Sequence, residues 1–297
     1  MHRLLLELKT EGYPRDFLIA RLRGRRQLWL KVTGGQQRKQ ADPWPAMQGE
    51  LYWLYRTMDR KTREEFALCF LYFELRRVLI ALRRLAGRNR EGLAQLAVLP
   101  LLNRELVRQL QGAADVRDAV RLLDASLVNV KTASVHLEPI LVEDGQRQME
   151  EALVDTLFNS ALHMGSGPAL RSYFGQLVDL HNLLSILKTR RWELTEQRPL
   201  LPGGTHTPQQ WQALLRPGQE LKLRLAANRI SGSDQFDAES VEHAMLGRIL
   251  TTLHRRARAE PDPFLIFNYL WALYLHTRNL GLQRWGGDQL AAWEKLG

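Results

Sequence analysis

Apolar residues recur at spacings of three and four through most of the chain, and strict alternation is rare. The clearest stretch is Leu170, Phe174, Leu177, Leu180 or His181, Leu184 and Leu187, which line one face of a helix. Ser172, Gln176, Asp179 and Lys188 fall largely off that face. Pro168 suits the first helical position, where a missing N–H is harmless. A second helix is expected to start at Thr62, which forms a capping box with Glu65, and to run through the apolar stretch Phe66–Phe73. A third has Asp262 as N-cap and Pro263 behind it. From Phe264 to Leu275 it is apolar on nearly all sides, the pattern of the most buried helix. Leu127-Val128-Asn129-Val130 is the nearest approach to a strand and is too short to define a sheet. The predicted fold class is all-α.

Each of the three helices closes on a related segment. These are Glu74-Leu75-Arg76-Arg77-Val78-Leu79, Asp179-Leu180-His181-Asn182-Leu183-Leu184 and His276-Thr277-Arg278-Asn279-Leu280-Gly281. With Arg77, Asn182 and Asn279 taken as equivalent, the copies are about 100 residues apart, and each lies about 15 residues past its helix start. The period predicts three similar helical-bundle units, at residues 1–110, 111–205 and 206–297. The copies are not identical. Arg77 stands where the other two have Asn, and Arg284 comes one position earlier than Lys188, with Trp285 at the matching site. Clusters of Gly and Pro mark the expected breaks. They are Gly34-Gly35 through Pro43-Trp44-Pro45, Gly87 to Gly92, Glu143-Asp144-Gly145, Gly165 to Pro168, Pro199 to Gly204, Ser231 to Asp234, and Pro261-Asp262-Pro263.

Charge adds a partner class. Lys and Arg number 42 against 32 Asp and Glu, for a formal net charge of +10. Such a balance attracts nucleic acid, anionic lipid headgroups or the acidic face of a protein. Arg76, Arg77, Arg83 and Arg84 cluster on one predicted helix, as a basic all-helical nucleic-acid-binding module would show, but no reader motif accompanies them. Nucleic acid is therefore the alternative and not the expected partner. Cys69 is the only cysteine and reads as a buried small hydrophobe. No apolar run approaches the roughly 20 residues of a membrane span.

No catalytic constellation emerges. The eight His form no H-E-x-x-H pair, and a lone Cys excludes a zinc ribbon. Pro202-Gly203-Gly204-Thr205 lacks the Lys of a phosphate loop. Gly165-Ser166-Gly167 precedes Pro168 and a helix, without the strand that a nucleophile elbow requires. The pairs Glu64-Glu65 and Glu150-Glu151 look like solvated helix charges. The reading is a non-enzyme with no cofactor and no metal.

Several patches resemble a known family. Asp179-Leu180-His181-Asn182-Leu183 with Lys188, Pro202-Gly203-Gly204 downstream, and Tyr269-Leu270-Trp271 through Arg278-Asn279-Leu280 look like the C subunit of the archaeal and bacterial V-type (A-type) ATPases. Its eukaryotic counterpart is the d subunit of the V-type ATPase. Ala20-Arg21-Leu22-Arg23 is similar to the family's early A-R-x-R stretch. The resemblance implies a funnel of three helical units about a pseudo-threefold axis. It also implies a non-catalytic central-stalk adapter that receives the D and F subunits of the stalk on one side and caps the membrane rotor ring on the other, coupling ATP turnover to proton or sodium ion transport. The chain would be a monomer within the larger complex, cytoplasmic and peripheral on the inner face of the membrane. Arg76, Arg83, Lys188 and Arg190 are then either partner contacts or solvated helix ends. Asn182 and Asn279 either bond backbone at helix ends or touch the stalk.

Overall fold

The computed structural model describes residues 4–8, 11–33, 42–96, 101–128, 136–163, 167–192 and 200–284. Gly34-Gly35, Asn129-Val130, Gly165-Ser166, Pro199 and Trp285, which entered the sequence reading, lie outside these. The fold is all-helical. Its elements are α1 (Arg15–Thr33), α2 (Pro43–Thr57), α3 (Arg60–Ala86), α4 (Glu91–Leu96), α5 (Arg104–Gly112), α6 (Val116–Val128), α7 (Leu137–Glu143), α8 (Gln146–His163), α9 (Pro168–Arg191), α10 (Pro208–Leu214), α11 (Glu220–Ser231), α12 (Ala238–Ala259) and α13 (Pro261–Arg284). Extended pairing among the described residues is limited to two isolated bridges, Leu5 with Leu102 and Tyr13 with Met58.

The chain divides into two compact units, residues 1–160 and 161–297, with the boundary inside α8. In the first unit, α3 is the longest helix and buries Phe66, Phe70, Phe73, Val78 and Leu82, among others. Cys69 is wholly buried beside them, and burial pushes its thiol well above the usual range. The apolar stretch near the N-terminus joins this core. Leu5 is fully buried, Leu6 N–H donates to Leu101 O at 2.7 Å, and Asn103 N–H donates to Leu4 O at 2.7 Å. An apolar cavity of about 50 Å³ remains, lined by Leu71, Leu75 and Val78 of α3, Leu106 of α5, Leu123 of α6 and Leu153 of α8.

In the second unit, α9, α11, α12 and α13 pack on one another. An aromatic group joins α9 to α13. Tyr173 stacks on Phe267 at 5.0 Å and meets Trp271 edge-on at 6.1 Å, while Trp271 Nε1–H donates to Leu246 O of α12 at 3.1 Å. Phe264, Ile266, Phe267, Tyr269, Leu270, Trp271, Leu273 and Leu275 are all buried, as the all-round apolar pattern of α13 predicts.

Helix starts agree with the sequence at two places and differ at a third. Pro168 occupies the first turn of α9 behind Gly167. Asp262 is extended (φ −97°, ψ 121°), so the regular part of α13 begins at Pro263. The start of α3, however, is capped by Asp59 and not by Thr62. Asp59 Oδ1 accepts Thr62 N–H at 2.7 Å, and Glu65 is drawn away to Arg15 of α1 at 2.6 Å. Asp59 is a stronger cap one turn earlier, and the helix begins there. The loop expected through Pro45 likewise ends sooner. Asp42 caps α2, which already includes Pro43, Trp44 and Pro45.

Candidate partner-binding surface

The basic cluster of α3 is tied into the first unit. Arg76 is exposed, and its guanidinium lies 4.6 Å from the centre of the Trp44 ring of α2. Arg77 binds Glu74 one turn back at 2.9 Å. Glu74 is buried, and burial outweighs the Arg77 charge, so its carboxyl is raised from 4.5 to about 7. Arg83 reaches α8, where Nε lies 2.9 Å from Glu150 Oε2. Glu150 is buried, which corrects the expectation of a solvated helix charge. It receives Arg83 across 67 residues and Gln146 from its own helix.

The middle of α9 holds a chain segment. Asn182 is fully buried, its Nδ2–H donates to Leu201 O at 2.9 Å, and its Oδ1 accepts Leu201 N–H at 2.8 Å. Backbone bonding is therefore what this Asn does. Asp179, which the periodicity places off the apolar face, is also buried. Its carboxylate accepts Thr205 N–H at 2.7 Å and Thr205 Oγ1–H at 2.6 Å. Burial raises the Asp179 carboxyl above its ordinary range, against the Thr205 bonds and the more distant His206 and Arg248.

The glycine pair fits this closure. Gly203 has φ +94°, and a Cβ there would lie 2.2 Å from Leu162 Cδ1. A Cβ on Gly204 would lie 2.3 Å from Asp179 Oδ1. Pro202-Gly203-Gly204-Thr205 is thus a segment laid flush on α9. The last turn of the helix carries half-buried Lys188 and exposed Arg190, where cations complement the carbonyl end of the helix dipole.

On α13, Arg278 pairs with Glu242 of α12 at 3.1 Å. Asn279 is half-buried, and its Oδ1 has no hydrogen-bond partner among the described residues. Thr277 beside it is fully buried and donates to Leu273 O at 2.8 Å. The three equivalent positions therefore differ: Arg77 forms an ion pair, Asn182 clamps backbone, and the amide oxygen of Asn279 has no hydrogen-bond partner among the described residues. Of the six predicted partner contacts, Arg76, Arg83 and Arg190 are exposed. Among the described residues no group of three or more His, Cys, Asp or Glu could hold a metal ion.

The family described as ATP synthase (C/AC39) subunit matches residues 46–282. The chain belongs to that family. Membership agrees with the resemblance to the C subunit of V/A-type ATPases and to its eukaryotic counterpart, and gives the chain a place in a rotary ATPase. The matched span contains α3, α9 and all six candidate contacts, whereas α1 precedes it. A comparison with curated proteins found no match. Among the described residues no helix is long and apolar enough to cross a membrane.

Two groups of site residues escaped the sequence reading. The pairing of Asp179 with Thr205 leaves a faint signal, an acid one turn before Asn182 on a mostly apolar helix, followed by a Pro-Gly-Gly segment. The pairing of Arg83 with Glu150 leaves none, because neither residue differs locally from a solvated helix charge.

Proposed function

We propose that this protein is the non-catalytic adapter between the central stalk and the membrane rotor ring of its rotary ATPase. It receives the D and F subunits of the stalk, caps the ring on the cytoplasmic face as a peripheral protein, and carries torque between ATP turnover and proton or sodium ion transport. The family match over residues 46–282 carries the reading. The buried polar ties support it, because a torque-bearing part must resist shear. Arg83–Glu150 joins α3 to α8 in the first unit, and Asp179 and Asn182 hold the Leu201–Thr205 segment on α9 in the second. In this reading three copies of one helical unit, at 1–110, 111–205 and 206–297, surround a pseudo-threefold axis as a funnel. The net charge of +10 suits acidic partner faces, and Arg76, Arg83, Lys188 and Arg190 are the first contacts to test, with Asn182 holding Leu201 against α9 and Asn279 a further candidate.

Membranes stripped of this protein should hydrolyse ATP without driving ion transport, and adding back the purified chain should restore coupling. The isolated chain should co-purify with stalk or ring components and hydrolyse no ATP. Coupled transport persisting in its absence, or robust hydrolysis by the chain alone, would overturn the reading.

A further inference from the structure

α11 buries one face and leaves the opposite one uncovered. Leu223, Ala227, Ile230 and Ser231 are buried. At about 100° per residue, Leu221 and Leu225 centre on the side directly opposite. They are 70% and 59% exposed, and Leu221 is the most exposed large apolar side chain among the described residues. Lys222 and Arg229 fall on one flank of this leucine pair and Arg224 on the other, and all three are exposed. None of the three side chains has an ion pair among the described residues. The helix carries a single acid, Glu220, which lies in its first turn and accepts Gly218 N–H at 3.3 Å.

An outward apolar pair flanked by cations is the layout of a helix that lies in a membrane interface. The leucines enter the acyl boundary, and the long stems of Lys and Arg let their charged heads reach the phosphates. Two leucines alone bind weakly, so the layout depends on a second, electrostatic attraction, which the three unmatched cations supply together with the net charge of +10.

We propose that the outward face of α11 docks on an anionic lipid surface, with Leu221 and Leu225 inserted and Lys222, Arg224 and Arg229 on headgroup phosphates. This goes beyond the adapter reading, since it requires neither stalk nor ring, and its test uses the chain alone. The full-length chain is sedimented with vesicles of phosphatidylcholine, with or without about 30% phosphatidylserine. It should bind the anionic vesicles, bind the neutral ones far less, and be released as salt rises. The double variant Leu221→Gln/Leu225→Gln should lower the partition coefficient by about tenfold or more, and the triple variant Lys222→Gln/Arg224→Gln/Arg229→Gln should do the same. All five side chains are exposed, so both variants should melt as the parent does. Three results would overturn the proposal. The first is no binding to anionic vesicles. The second is parent-level binding by the leucine variant, which would mean that charge alone holds the chain. The third is equal binding to neutral and anionic vesicles, which would take the headgroup charge out of the contact.

Discussion

Glu74 is the residue at which burial and pairing oppose each other most directly. Its carboxyl titrates near 7 in the folded chain against 4.5 in the open one, so the folded state holds the proton more tightly. Its contribution to stability is then fully present below about pH 4.5 and is lost as pH rises through about 7, on the order of 3 kcal/mol in all. Asp155, raised to about 6 by burial and by Glu151, acts in the same direction, as does Asp179. Urea midpoints measured across this range should fall with rising pH. The fall should be shallower in Glu74→Gln, and equal slopes in the two proteins would remove Glu74 as the cause. Asn182 gives a second residue-scale expectation. Asn182→Ala leaves Leu201 N–H and C=O buried and unmatched and should cost about 2 kcal/mol or more by denaturant unfolding. Asn279→Ala, which removes an oxygen with no partner among the described residues, should cost clearly less.

At the scale of the element, the start of α3 sets the observed cap, Asp59, against the capping box expected from Thr62 and Glu65. Asp59→Ala should destabilise the chain by about 1 kcal/mol, because Thr62 N–H loses its acceptor. Glu65→Ala breaks only the partly exposed pair with Arg15 and should cost about half as much or less. Thermal melts of the two variants decide between them. The same comparison shows what was legible in the sequence. Periodicity located α9 and the burial of α13 because apolar spacing reports the face that meets the core, and Pro168 and Pro263 marked their starts because proline fits only the first turn of a helix. Periodicity misread Asp179 because it ranks a residue by polarity and carries no information about a distant segment that returns to satisfy it. Glu150 was misread for the same reason, its partner being on another helix. The outward leucines of α11 leave no such mark, because a short helix with apolar residues on both sides gives no clear face.

The molecule as a whole is a family member with an excess of ten positive charges and its basic helix partly committed to internal ties. Its assembly into the ATPase should therefore depend on ionic strength. Association with the remaining subunits should slow as salt rises from about 0.01 to 0.15 M, since exposed charges are screened within a Debye length. Stopped-flow mixing of the purified chain with the depleted complex measures this, and a salt-independent rate would exclude attraction to acidic faces. The closure over α9 also bears on how such a chain can change over generations. Asp179, Gly204 and Thr205 share one small space, in which the carboxylate sits where a methyl on residue 204 would be. Replacements there cannot accumulate one at a time: whichever changes first damages the fit for the others, so lineages that depart from this set should do so by exchanging several of its members together.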